Sequence, residues 1–228
     1  MNNTGAAPIS YKITEDNFES WIEGNVLGHI LLTYLLIDHM NTNSRIINLS
    51  SIGHNFCVFN KDTINNIYDN EFVKNNYFGS ILNRNILHHV TKLMMIYFTQ
   101  ELSNYFSKKN ISIKTVSLHP GVVNTEFLIF YGSNVITNII YNLLYPIFII
   151  CLKHVEQGSQ TQLYLTYLDY AELASGRYYA DCKFEKTSKA AQDSNLGKLY
   201  IKKTIEKICE RLPQYKDEFQ KYIKYDEN

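Results

Sequence analysis

The 228-residue chain has no surplus of charge of either sign: Lys and Arg total 22, Asp and Glu total 22, and the formal net charge is zero. Without a basic excess no face is set up to neutralise successive phosphates, so DNA and RNA are not expected partners. Cysteine is sparse. Cys57, Cys151, Cys182 and Cys209 lie far apart, with neither CxxC nor Cys/His ligand spacing, which argues against a disulfide frame or a zinc site and for a reducing, intracellular setting. The opening MNNTGAAPISYKITED lacks the basic region and apolar run of a signal peptide. Internal repeats, linkers and low-complexity tracts are missing too. A hydrophobic content of 45% is enough for one sizeable core, so residues 1–228 are expected to form a single domain. The one membrane-like stretch, Val135 to Leu152, is interrupted by Asn138, Asn142 and Pro146 and makes a poor span. It is expected to be a buried or pocket-lining helix, with contact to a membrane surface left open.

What is present alternates between two hydrophobic periods. From Asp16 to Met40 the apolar residues Phe18, Trp21, Ile22, Val26, Ile30, Leu31, Tyr34 and Leu35 recur at helical spacing. The segment Ser44 to Ser51 (SRIINLSS) then reads as a strand buried on both faces of a parallel sheet. Gly53 to Asn85 is rich in Asn and Asp without sustained period and is expected to be a long surface excursion, partly disordered. Further helices are predicted over Ile86 to Lys108, Gly158 to Tyr170 and Leu196 to Leu212, the last closing the chain, and further strands over Ile111 to Leu118 and Gly176 to Ala180. Strands separated by helices of ten residues or more place the chain in the α/β class.

Open α/β sheets bind ligands beyond the carboxyl ends of their strands. Two such ends carry polar or backbone-shaping residues: Ser50-Ser51, and His119-Pro120-Gly121. Both suit ordinary turns and helix caps. Lys92 and His88, one helical turn apart, share a helix face. They are either a solvated polar stripe or, beside a serine-tipped strand, a proton-transfer centre. Asn25, between Gly24 and Gly28 in an apolar helix, suits a local kink or a satisfied core amide.

The order of these features resembles the short-chain dehydrogenase/reductase family over nearly the whole chain. Asn2-Asn3-Thr4-Gly5 resembles the family's NNAG turn, and Asn25 falls on its structural and catalytic asparagine. SRIINLSS resembles the strand carrying the catalytic serine, placing it at Ser51, while Lys92 in HHVTKLMM falls on the lysine of YxxxK. HPGVVNTEF (His119 to Phe127) resembles the HPGxVxT loop, and EQGSQT and SGRYYADC resemble segments of the retinol dehydrogenase branch.

The resemblance implies a partial Rossmann-like, doubly wound parallel sheet and an NAD or NADP cofactor. It also implies apolar alcohols or aldehydes as substrates. Ser51 would then donate to the substrate carbonyl, Lys92 would hold the nicotinamide ribose and tune the proton donor, and Asn25 would hold a relay water. Asn3, Thr4, Gly5, Lys92, Pro120, Gly121, Val123 and Thr125 would line the cofactor. Location in the cytoplasm, or on the cytoplasmic face of the endoplasmic reticulum, is the matching expectation.

Two departures follow. The tyrosine of YxxxK is replaced by His88, which the neighbouring ammonium of Lys92 holds neutral and which is the shorter ring, so carbonyl reduction is expected to be impaired. The family's glycine-rich phosphate turn, which seats a pyrophosphate on a helix N-terminus, has no counterpart after Met1. The chain is therefore either part of a longer oxidoreductase, or a cofactor-free pseudoenzyme with an interaction role. In the second case a homo- or hetero-oligomer would cover the apolar sheet edge left by the missing strands. A hydrolase built on Ser51 and His88 is the least supported reading, because no GxSxG elbow or orienting carboxylate accompanies them.

Overall fold

The computed structural model describes residues 1–5, 10–57, 59–123 and 152–223. The stretch Val135 to Leu152, all but its last residue, together with Thr125 and Cys151, lies outside the described residues.

Helix α1 (Ser20–His39) begins where the Glu19 carboxylate accepts from Trp21 N and Ile22 N, at 2.9 and 3.1 Å, satisfying amides that the first turn leaves open. After Ser20–Ile22 it widens into a π-turn, Glu23–Leu27, then continues as α-helix over Gly28–Leu36 and closes with a 3₁₀ turn at Ile37–His39. The π-turn turns Asn25, Val26 and Leu27 inward together. Among the described residues this helix is long and apolar enough to cross a membrane, yet half of it is buried, the pattern of a core helix.

Strand β1 (Ser44–Leu49) follows. The Asn-rich stretch beyond it is not the irregular excursion expected from composition. It forms α2 (Lys61–Asn66) and α3 (Asn70–Tyr77) and then enters α4 (Ile81–Lys108), five residues earlier than expected. The polar residues act as caps: Asn60 Oδ1 accepts from Thr63 N, Asp69 Oδ1 from Phe72 N and Ser80 Oγ from Asn83 N, at 3.0, 2.7 and 3.2 Å. Composition that reads as loop is here the punctuation between helices.

Among the described residues, the next elements after strand β2 (Ile113–His119) are α5 (Val155–Gly158), α6 (Gln160–Tyr167), β3 (Tyr178–Ala180) and β4 (Lys183–Phe184). The chain then runs into α7 (Ser194–Arg211), and not this helix but α8 (Lys216–Ile223) is the last described element. The sheet order is β1-β2-β3-β4, with β1, β2 and β3 parallel and β4 antiparallel. Asp181 and Cys182, both at positive φ (47° and 59°), make the two-residue hairpin that joins β3 to β4. The sequence reading missed this short antiparallel strand.

Alternation along β1 sets the layers. Ile46 faces a large cluster built from α1, α2, α3, α4, α7 and α8, whereas Ile47 faces a smaller one formed with Val116, Leu118, Leu165 and Tyr179. Helix α4 runs through the middle of the larger layer. Leu87, Val90 and the run Leu93 to Phe98 are buried around its circumference, as befits a helix covered on all sides. The outer edge of β1 is partly closed by the N-terminus, a correction to the expectation of an open edge. Asn2 N donates to Ile47 O at 2.8 Å and Leu49 N donates to Asn2 O at 2.9 Å. Beyond that bridge, no strand pairs with Ser44–Ile46 on this side among the described residues.

Candidate active site

Three elements converge at the carboxyl ends of β1 and β2. The π-turn in α1 carries Asn25 inward to 1% exposure, and α4 carries Lys92 inward to 5% exposure. The N-terminal turn closes over both: a carbon built on Gly5 would lie 3.5 Å from Asn25 Oδ1 and 3.6 Å from Lys92 Nζ. The ammonium also donates to Leu49 O, at 3.4 Å. Burial lowers the Lys92 pKa from its ordinary value to about 8, because the charged form loses its hydration. Lys92 still carries its charge at neutral pH, and it is not part of a solvated stripe.

The turn itself is braced from below. Asn2 Nδ2 donates to Thr33 Oγ1 and to Asn48 Oδ1, at 3.0 and 2.8 Å, and Asn48 Nδ2 donates to Thr99 Oγ1 at 2.9 Å. His29 Nε2 meets Thr4 O at 2.7 Å, and the Asn3 and Gln162 side-chain amides face each other at 3.1 Å. Asn3 and Thr4 are thus held by side chains of α1 and α6.

Ser51 ends the extended chain at φ −154° and ψ 153° and caps the 3₁₀ turn Ile52–Phe56, its Oγ accepting from Gly53 N at 3.1 Å. The cap reading and the catalytic reading are compatible, because accepting from Gly53 leaves the hydroxyl proton to donate elsewhere. Its neighbour Ser50 faces the other way, donating to Lys92 O at 2.7 Å. The Ser51 turn and α4 are joined again where the His89 ring lies on Gly53. A Cβ there would fall 2.3 Å from His89 Cδ2, so only glycine fits.

At the β2 end, Gly121 adopts φ +89° and its amide donates to His119 Nδ1 at 2.9 Å. The aliphatic part of Lys153 lies where a Gly121 side chain would be, with Cδ and Cε 2.8 Å from that position, and its ammonium pairs with Asp181. Val123 bridges to Lys153 and packs on Gly158. Pro120 lies between His119 and this turn.

No family model matches the chain. It is similar to retinol dehydrogenase 11 of Mus musculus, 33% identical over 185 residues, which is 80% of this chain and 52% of that protein. It is similar also to retinol dehydrogenase 14 of Homo sapiens (31% over 200 residues; 87% and 54%) and to the chloroplastic short-chain dehydrogenase TIC 32 A of Brassica napus (27% over 221 residues; 93% and 64%). The chain belongs to the short-chain dehydrogenase/reductase family, in its retinol dehydrogenase-like branch. It spans about half the length of the retinol dehydrogenases it matches, 52% and 54% of the two named above. A crystal structure of an uncharacterised Mycobacterium paratuberculosis protein shares its fold, with TM-score 0.65 at 20% identity over 90% of this chain and 65% of that one.

In a short-chain dehydrogenase/reductase of this kind, the position of greatest interest is His88. Its ring lies edge-on to Trp21 at 6.5 Å and to His89 at 5.9 Å. Burial, then the Lys92 ammonium, then His89 push its pKa down from 6.5 to about 3. The imidazole is therefore neutral at every physiological pH. Sequence reasoning anticipated the influence of Lys92; it did not anticipate that burial would be the larger cause. It also passed over His54, Gly53 with His89, and Lys153. The signal for His54 was present in its spacing, three residues beyond Ser51 at the foot of a strand-end turn.

Proposed function

We propose that this chain forms the substrate and nicotinamide side of an NAD- or NADP-linked short-chain dehydrogenase/reductase acting on apolar alcohols or aldehydes, with proton transfer impaired at His88. The observation that carries the reading is the buried Lys92, an expensive charge kept 5% exposed where it lies, with Asn25, beside Gly5 and donates to the carboxyl end of β1.

The residues fit the nicotinamide ribose half of the cofactor. Lys92 and Asn25 offer a cation and an amide beside a segment that approaches both closely at Gly5. When bound, the nicotinamide supplies or takes the hydride. Ser51 would donate a hydrogen bond to the carbonyl oxygen while Gly53 N holds Oγ. Lys92 orients hydroxyl groups, and its charge disfavours any positive charge on His88. His88 can offer only a neutral N–H, an acid too weak to match the operating pH. In the full-length protein from its native source, aldehyde-dependent oxidation of NADH or NADPH should be slow. It should rise at least tenfold in His88→Tyr and vanish in Lys92→Met. Turnover indifferent to Lys92 and Ser51 would refute the reading.

The neutral His88 also favours a second reading, a cofactor-free interaction protein whose partner pairs with the outer edge of β1 at Ser44–Ile46. That reading predicts a stable hetero- or homo-oligomer and no change on His88→Tyr. An intracellular setting, in the cytoplasm or on the cytoplasmic face of the endoplasmic reticulum, accompanies either reading.

A further inference from the structure

Ser51 is held by more than its own cap, and the group that holds it is an imidazole to which no role has been given. His54 is 0% exposed and sits in the 3₁₀ turn that Ser51 opens. Its backbone N donates to Ser51 O at 3.2 Å, and its ring Nδ1 meets the same carbonyl oxygen at 2.7 Å. On the far side of the ring, Ser188 N donates to Nε2 at 3.2 Å. A backbone amide can only donate, so Nε2 is the acceptor and the proton resides on Nδ1. Both ring nitrogens are spoken for, and the tautomer follows from the chain around them.

The ring faces few groups that can titrate. From β3, Tyr178 meets it edge-on at 4.9 Å and stacks on His119 of β2 at 5.9 Å. His119 in turn accepts from Gly121 N and faces Glu185 Oε2 at 3.6 Å. From α4, His89 touches the turn through Gly53. Burial lowers the His54 pKa, with His119 lowering it further and the Ser51 carbonyl and Glu185 opposing. The neutral, single-tautomer state is therefore the one that persists at neutral pH.

We propose that His54 is a positioning residue: as the Nδ1–H tautomer it clamps the Ser51 carbonyl, fixes the direction of the Ser51 hydroxyl, and ties that direction to the segment at Ser188. The proposal rests on the reading of Ser51 as the carbonyl donor. Ser50 pins the preceding residue to Lys92 O and to Leu118 O, so with His54 in place the Ser51 peptide is restrained on both flanks. Without the clamp, the extended residue between these anchors gains freedom about its own ψ, and the hydroxyl loses its aim.

Two sets of measurements test this. In the 228-residue protein, long-range ¹H–¹⁵N spectra of the histidine rings should show His54 with Nδ1 protonated and Nε2 bare. On acidification the Ser188 and Gly53 amide signals should move together with a midpoint below 6.5, since a protonated Nε2 can no longer accept from Ser188. An Nε2–H tautomer, or a Gly53 amide that ignores the His54 titration, would overturn the proposal without reference to any activity. In the full-length protein, His54→Asn keeps a donor near the Nδ1 position and should hold kcat within about fivefold. His54→Gln and His54→Phe should lower kcat by at least tenfold with KM little changed. Equal rates in the Asn and Phe variants would also overturn it. If the spectra behave as expected while no variant, nor the parent, reduces any aldehyde, the oxidoreductase reading fails and the clamp stands.

Discussion

Replacing Lys92 by methionine is expected to stabilise the protein at neutral pH while destroying the site. The side chain is 5% exposed, and burial lowers its pKa from 10.5 to about 8. Methionine keeps the volume and discards the charge. The sign follows from linkage. Between the folded value near 8 and the unfolded value of 10.5, the unfolded chain binds a proton that the folded chain does not, so unfolding free energy rises with pH across that window. Below pH 8 both states are charged, and the folded state bears the full penalty. A gap of about 2.5 pH units at ~1.4 kcal/mol each gives roughly 3.5 kcal/mol at pH 7. Losing the 3.4 Å hydrogen bond to Leu49 O returns about 1 kcal/mol. Lys92→Met should therefore gain ~2–3 kcal/mol at pH 7, a rise in Tm of roughly 4–12 °C for a chain of this size. The assay is urea unfolding of both proteins at pH 7 and pH 10, where the difference should shrink to zero or reverse. His88 and His29, which Lys92 also pushes down, are lowered mainly by burial in both proteins, and the groups that Lys92 does not reach cancel. A variant less stable at pH 7, or a difference that is the same at both pH values, would refute the claim that Lys92 is kept in place against its own desolvation.

His88 makes the complementary prediction. Its folded pKa near 3 lies below the ordinary 6.5, so protonation of the unfolded chain drains stability as pH falls through 6.5 toward 3, by roughly 2 kcal/mol at pH 5. Urea unfolding of His88→Phe should show that loss removed at pH 5 and little change from the pH 8 difference otherwise. Gly53→Ala forces a carbon to within 2.3 Å of His89 Cδ2 and should cost about 1–3 kcal/mol in thermal unfolding. Gly121→Ala meets a positive φ of 89°, and because the Lys153 chain over it can swing away, the expected loss is about 1–2 kcal/mol from the backbone alone.

Much of the architecture was legible because hydrophobic period reports it directly. The run Ile46-Ile47 between polar flanks became a strand with one isoleucine in each layer, and the apolar spacing from Phe18 onward became α1. Order along the chain carried Asn25, Ser51 and Lys92 to one end of the sheet. Boundaries failed where a residue's role depended on its neighbours in space. Asn60, Asp69 and Ser80 look like loop formers until each is seen capping a helix. The π-turn at Glu23–Leu27 has no periodic signature of its own, since it is one inserted residue's worth of slip in an apolar helix. The depth of Lys92 could not be read either. An amine in a polar heptad and an amine beneath the N-terminal turn have the same sequence, and only the packing of Gly5 and Asn25 distinguishes them. His54 stood out only by its spacing from Ser51; its tautomer could not be read, because the partner that fixes it, Ser188, is 134 residues away.

The central claim is that Lys92, Asn25 and the turns at Gly5 and Gly121 form a nicotinamide ribose half-site. It is tested most directly by titrating the 228-residue protein with nicotinamide mononucleotide while following backbone amide signals. The account predicts saturable shifts at Gly5, Asn25, Lys92 and Gly121, weak in affinity, and their loss in Lys92→Met with the rest of the spectrum preserved. Shifts confined to the distant surface, or shifts that survive in Lys92→Met, would contradict it.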